Sequence, residues 1–187
     1  TAQTERTQQI FQVNDTFTWL REPLLRRLPD ESLCCALFTG GGSDGDLRNV
    51  VAAIRSDDDG ATWSQPEVLK QLSGQSAWAP SMMVHAGQAH IFWFSSHDRH
   101  RYRKVNHLLS TGSDGRTFTE DQTILPGWNA ERGVDVRHGT VLRDGRVLLP
   151  IAWLDPVRDF DPETWVDRGT NRRYGNFGWG GVAQNNQ

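Results

Sequence analysis

Cysteine is nearly absent: 187 residues hold two, and they are adjacent. Cys34 and Cys35 lie in an apolar run that reads as a strand, where neighbouring side chains point to opposite faces. No disulfide is expected between them, and one is expected in the core. There is no cysteine tetrad for a zinc site. No apolar run approaches the ~20 residues of a membrane span. Thr1 to Gln9 is polar and lacks the apolar stretch of a signal peptide. The formal net charge is -3, so nothing pulls the whole chain toward nucleic acid or an anionic membrane. Sustained helical periodicity is missing, as is a serine nucleophile elbow. Gly40-Gly41-Gly42 does not precede a helix, so it is no phosphate cradle. The compartment stays open, leaning to secreted or periplasmic.

What is present is a series of short apolar runs, rich in β-branched and aromatic residues and separated by turn residues. This is an all-β pattern. Strands are expected at Phe17 to Leu28, Leu33 to Thr39, Asn49 to Arg55 and Thr62 to Leu69. A second set runs Ser81 to His85, Ala89 to Ser95, Asn106 to Ser110 and Thr117 to Ile124. A third begins with Val136 to Leu142 and Val147 to Leu154, with a further strand near Phe177 to Val182. Turn residues recur at one interval: Asp30, Gly87 and Asp144 are spaced by 57 and 57. About four short strands per repeat of this length describe a propeller blade. The chain then holds about three blades, where six would need roughly 340 residues. The expected division is an N-terminal arm at 1–15, blade one at 16–75, blade two at 76–130 and an incomplete blade three at 131–187. The remaining blades are expected from the same or another chain.

The most specific run is Ser56-Asp57-Asp58-Asp59-Gly60-Ala61-Thr62-Trp63. Gly60 supplies a left-handed backbone for a tight turn. Ser56 and Asp58 are suited to bond turn amides that lack ladder partners. Trp63 can bury its ring between sheets. A weaker echo, Thr111 to Phe118, keeps the Gly and Thr, puts Phe for Trp, and has Ser113 where the Asp should be. The run resembles the Asp box of sialidase-like β-propellers, a turn that sits away from the active face in the families that carry it.

The segment Arg21-Glu22-Pro23 followed by Leu28-Pro29-Asp30 resembles the Arg-Ile-Pro opening of many sialidases. Asp44 falls in the loop between that strand and the box, where those enzymes carry a catalytic Asp. The resemblance implies a glycoside hydrolase acting on a terminal acidic or related sugar. It implies Arg21 as a carboxylate-binding arginine and Asp44 as general acid and then base. Asp46 is the rival for that role. The nucleophilic Tyr, its Glu and two further arginines of the family are expected in later blades. Ala79-Pro80-Ser81 and Thr39-Gly40-Gly41 depart from the family pattern, and Glu22 replaces its usual apolar residue, open to pairing with Arg21.

Further candidates come from the residues themselves. Arg137 and His138 open the third set of strands, near a central channel. Trp78, one of eight tryptophans, is a candidate sugar platform, with core packing between blades the alternative reading for any single Trp. The run His97-Asp98-Arg99-His100-Arg101-Tyr102-Arg103-Lys104 offers His97 and Tyr102 for substrate binding. The His97-x-x-His100 spacing lacks a third and fourth ligand, so no metal is expected, and no cofactor is implied. The same loop suits a polysaccharide lyase on uronic-acid glycans, with His or Tyr as base and Arg against the carboxylate. A non-catalytic glycan- or protein-binding propeller is the remaining alternative.

Overall fold

The computed structural model describes residues 7–96, 105–124 and 135–152, with three two-residue strands further on. The chain is all β among the described residues. The first sheet is β1 (Arg21–Arg27), β2 (Leu33–Thr39), β3 (Val50–Ser56) and β4 (Glu67–Lys70), in sequence order and antiparallel throughout. The second repeats the pattern with β5 (Ser76–His85), β6 (Gln88–Ser96), β7 (Val105–Thr111) and β8 (Phe118–Ile124). A third unit starts with β9 (Asp135–Val136), β10 (Thr140–Val141), β11 (Val147–Leu148) and β12 (Ile151–Ala152), where β10 pairs β11 and β9 pairs β12. Strands β13 (Phe160–Asp161), β14 (Val166–Asp167) and β15 (Arg172–Arg173) form a separate small sheet. Consecutive four-stranded meanders packed face to face are blades of a β-propeller.

Alternation decides the packing. One face of the first sheet puts Cys34, Ala36, Val51 and Ala53 against Met82, Ile91, Trp93 and Leu109 of the second, in one buried cluster. The small alanines let the two sheets approach, and Trp93 fills the gap. On the opposite face Cys35, Leu37, Ala52 and Ile54 are covered by Ile10, Phe11, Leu20 and Trp63. The two cysteines thus point to different clusters and are both free. Burial pushes the Cys34 thiol up to about 12, so it behaves as a small apolar group. The far face of the second sheet, with Met83, Phe92 and Leu108, packs on Val136 and Ile151 of the third unit.

The turns at one end of the sheets show why the sequence marks them. Ser56 Oγ accepts from Gly60 N–H at 2.8 Å and donates to Asp58 Oδ1 at 2.8 Å. Asp58 accepts both the Thr62 amide and hydroxyl, at 2.8 and 2.6 Å. Trp63 Nε1 donates back to the Gly60 carbonyl at 3.1 Å. The bonds from Thr62 and Ser56 hold the Asp58 carboxyl down to about 2. In the later turn the role expected near Ser113 passes to Asp114, whose Oδ1 accepts the Thr117 amide at 3.0 Å. Arg116 from that turn spans the two blades, donating to Asp30 at 3.1 Å and to both oxygens of Asp57.

Strand bounds differ from expectation where prolines and turns intervene. β1 starts at Arg21 rather than Phe17, because Asn14 Oδ1 accepts the Thr16 and Phe17 amides and bends the chain there. β4 starts at Glu67, after Pro66, which has no amide for the ladder. β5 starts five residues before Ser81, at Ser76. The ladder tolerates Pro80 because Trp78 pairs with Phe94 and Ser81 with Phe92, leaving Ala79 and Pro80 opposite Trp93 alone. The strand expected near Phe177 to Val182 lies outside the described residues.

Candidate functional site

Up-and-down topology sends the β3–β4 and β7–β8 turns to one end of the blades. The other end collects the starts of β1, β5 and β9 and the β2–β3 loop. Arg21, Asp44, Trp78, Arg137 and His138 all belong to this second end. His97 and Tyr102 lie outside the described residues.

The first strands carry a shared irregularity. In β1, Arg21 pairs with Phe38 and Leu24 with Ala36, so Glu22 and Pro23 face Leu37 alone. In β5 the same bulge falls at Ala79-Pro80. In the third unit Val136 pairs with Ile151 and Thr140 with Leu148, so Arg137, His138 and Gly139 face two residues. Each bulge holds a non-glycine residue at positive φ: Glu22 at 50°, Ala79 at 48° and His138 at 21°. Such backbone costs of order 1–3 kcal/mol per residue. Arg21, Trp78 and Arg137 immediately precede these bends and occupy equivalent positions.

The bulges meet around one open cavity of about 450 Å³, lined by Glu22, Pro23, Leu24, Pro80, Arg137 and His138. Across it, Arg137 Nη1 donates to Glu22 Oε2 at 3.1 Å. Sequence reasoning missed Glu22 as a cavity residue. The available signal was a charged side chain wedged before a proline, at the register of Ala79-Pro80. Its partner is Arg137 and not its neighbour Arg21.

Arg21 instead lies over the Trp19 ring, 4.6 Å from its centroid. Among the described residues no carboxylate pairs with it. Trp19 meets Phe38 edge-on at 5.7 Å, Phe38 meets Trp78 at 6.2 Å, and Trp78 meets Phe94 at 4.8 Å. Arg137 closes the row, 5.7 Å from the Phe94 ring. Trp78 is therefore core: it is 6% exposed, and its indole N–H donates to Ser96 Oγ at 3.0 Å. The expectation of an open sugar platform at Trp78 is corrected by this burial. It sits within the aromatic row that runs from Trp19, under Arg21, to Phe94, beside Arg137.

The β2–β3 loop separates the two candidate aspartates. Asp46 accepts the Gly42 amide at 3.1 Å, the Arg48 amide at 2.9 Å and two guanidinium bonds from Arg48 at 3.0 and 2.7 Å. The Arg48 bonds hold its carboxyl well below the usual range, so it stays ionised and shapes the loop. Asn49 adds two ties: its Oδ1 accepts the Gly41 amide at 3.0 Å, and its Nδ2 donates to the Ser43 carbonyl at 2.9 Å. Its carbonyl accepts Ala77 N–H at 3.1 Å, fixing the loop to β5. Asp44 sits inside this frame, and its Oδ1 is buried without a hydrogen-bond partner among the described residues. No group of three His, Cys, Asp or Glu among the described residues is placed to hold a metal. No helix there is long and apolar enough to cross a membrane.

No protein-family model matches the chain, and neither does a curated protein. Among solved structures, similarity extends to a protein of unknown function from Dyadobacter fermentans, at 17% identity and a TM-score of 0.47. It covers 72% of this chain and 34% of that one. An alpha-L-arabinanase of Penicillium chrysogenum, complexed with arabinobiose, gives 14% identity and a TM-score of 0.44, over 72% of this chain and 46% of that one. A leech intramolecular trans-sialidase gives 19% and 0.39, over 71% and 20%. The chain spans less than half the length of each. At these values the likenesses carry no argument, and the propeller assignment rests on the sheets themselves.

Proposed function

We propose that this chain supplies part of the active site of a glycan-acting propeller: a glycoside hydrolase of the sialidase type, acting on a terminal acidic or related sugar. The observation that carries the proposal is Asp44. Its carboxylate has a buried, unpartnered oxygen on a loop in which Asp46 and Asn49 are bonded into place. Among the described residues that oxygen is engaged by no backbone amide or guanidinium, whereas Asp46 is committed to holding the loop, and this leaves Asp44 as the loop carboxyl for proton transfer. Arg21 stands at the same end of the blade, supported by Trp19 and without a carboxylate partner among the described residues, which suits a ligand carboxylate.

In this reading Asp44 protonates the leaving oxygen and then takes a proton from the incoming water. Arg21 holds the substrate's acid group. Carbohydrate is the partner. Tyr102 and Tyr174 both lie outside the described residues, and the proposal assigns no nucleophile.

The test is turnover of 4-methylumbelliferyl and alkyl glycosides of sialic and uronic acids. Asp44→Asn should lower kcat on alkyl glycosides by about 10²–10⁴-fold, the usual range for a general acid. The loss should shrink with the methylumbelliferyl leaving group, which needs less protonation. Equal loss on both substrates, or none, would overturn the role. New ultraviolet absorbance from unsaturated products would point to a lyase instead.

A further inference from the structure

The cavity between the three bulges holds two opposite charges in contact. Glu22 and Arg137 come from the first and third units and meet at 3.1 Å, both half-buried. Packing of the units does not demand such a pair, since the second unit has Ala79-Pro80 at the same height. Holding it out of water carries a desolvation cost. The volume, about 450 Å³, lies in the ~300–1,000 Å³ range of ligand pockets. Pro23, Leu24 and Pro80 give it apolar walls, while Glu22, Arg137 and His138 are the polar groups.

The charge balance decides what fits. An arginine that grips a ligand carboxylate needs its charge unspent. Glu22 already answers Arg137 with a carboxylate of the protein, and a second carboxylate would face repulsion from Glu22. A sugar hydroxyl meets no such conflict. It donates its O–H to Glu22 and accepts from an Arg137 N–H, and both bonds are charge-assisted. The apolar walls suit the C–H surface of a pyranose ring.

We infer that this cavity is a subsite for an uncharged sugar ring, and that Glu22 determines this specificity by neutralising Arg137. The inference rests on the glycan reading above and narrows it. The ring between the bulges is neutral, and any acidic group of the substrate lies toward Arg21.

The experiment uses matched probes: methyl β-D-glucopyranoside and its uronate, and the galacto pair, which differ only in CH₂OH against carboxylate. Binding to the native protein is titrated by ligand-observed NMR, with melting curves to establish folding. The neutral member of a pair should bind about tenfold more tightly, the scale of one charge-assisted bond. Glu22→Gln should reverse the order by raising uronate affinity about tenfold, and Glu22→Gln/Arg137→Gln should abolish that gain. A wild-type preference for the uronates, or an unchanged order in folded Glu22→Gln, overturns the subsite while leaving the glycan reading intact. Should Glu22→Gln fail to fold, the wild-type order alone decides. Folded wild-type protein that binds none of the probes overturns the subsite, while the glycan reading stands or falls on the glycoside turnover above.

Discussion

Phe38 is the position where stability and site are most tightly joined. It is fully buried and touches Trp19 and Trp78 edge-on, at 5.7 and 6.2 Å. Trp19 in turn carries Arg21. Two substitutions separate volume from ring geometry. Phe38→Leu keeps most of the volume and loses both aromatic pairs, each worth about 0.5–1.5 kcal/mol, so about 1–3 kcal/mol in all. Phe38→Ala also opens a cavity, and buried Phe→Ala changes cost about 3–5 kcal/mol. For a chain of this size each kcal/mol moves the melting temperature by about 2–4 °C, so Leu should lower it by about 2–12 °C and Ala by about 6–20 °C. Thermal unfolding followed by far-ultraviolet circular dichroism gives the stability. Titration of a sialoside gives the coupling to Arg21, and affinity should fall in the order wild type, Leu, Ala. An Ala variant that melts within about 2 °C of wild type would refute the cavity argument. Unchanged sialoside affinity in a destabilised Ala variant would refute the link through Trp19.

Two further outcomes follow from the turns. Gly41→Ala should distort the β2–β3 loop, because its Cβ would fall 2.5 Å from Asp46 Cβ and closer still to Asn49 Oδ1. It should cost about 1–3 kcal/mol in denaturant unfolding and lower activity, while Gly42→Ala, with open space around it, should change neither. The hydrogen bonds of their turns hold the carboxyls of Asp58 and Asp114 down to about 2, and Asp30 and Asp46 also lie below the ordinary carboxylate range. A depressed folded value means stability is fully present above the unfolded value and lost as pH falls through the folded one. Unfolding free energy should therefore hold near neutral pH and fall between about pH 4 and 2. A flat profile across that window would count against the turn bonds.

The turns were legible before any coordinates because their chemistry is local. Ser56, Asp58, Gly60, Thr62 and Trp63 bond within eight residues, so their spacing alone specifies the turn. The 57-residue recurrence of turn residues likewise needs only the chain, since each turn closes a hairpin between neighbouring strands. Strand starts were less legible. Pro66 and Asn14 displaced two of them, and the bulge at Ala79-Pro80 hid the first five residues of β5.

The sequence by itself determined the all-β repeat and that Cys34 and Cys35 would part to opposite faces. It also singled out the loop that carries Asp44. Each of these depends on residues close together along the chain or on strand alternation. Tertiary structure alone decided the rest. It buried Trp78 between Phe38 and Phe94, tied the Asp44 loop to β5 through the Asn49 carbonyl and the Ala77 amide, and brought Glu22 to Arg137 across 115 positions. The physical reason is that burial and charge pairing depend on which blades face each other, and that contact is made between residues whose separation in sequence says nothing of their distance in space.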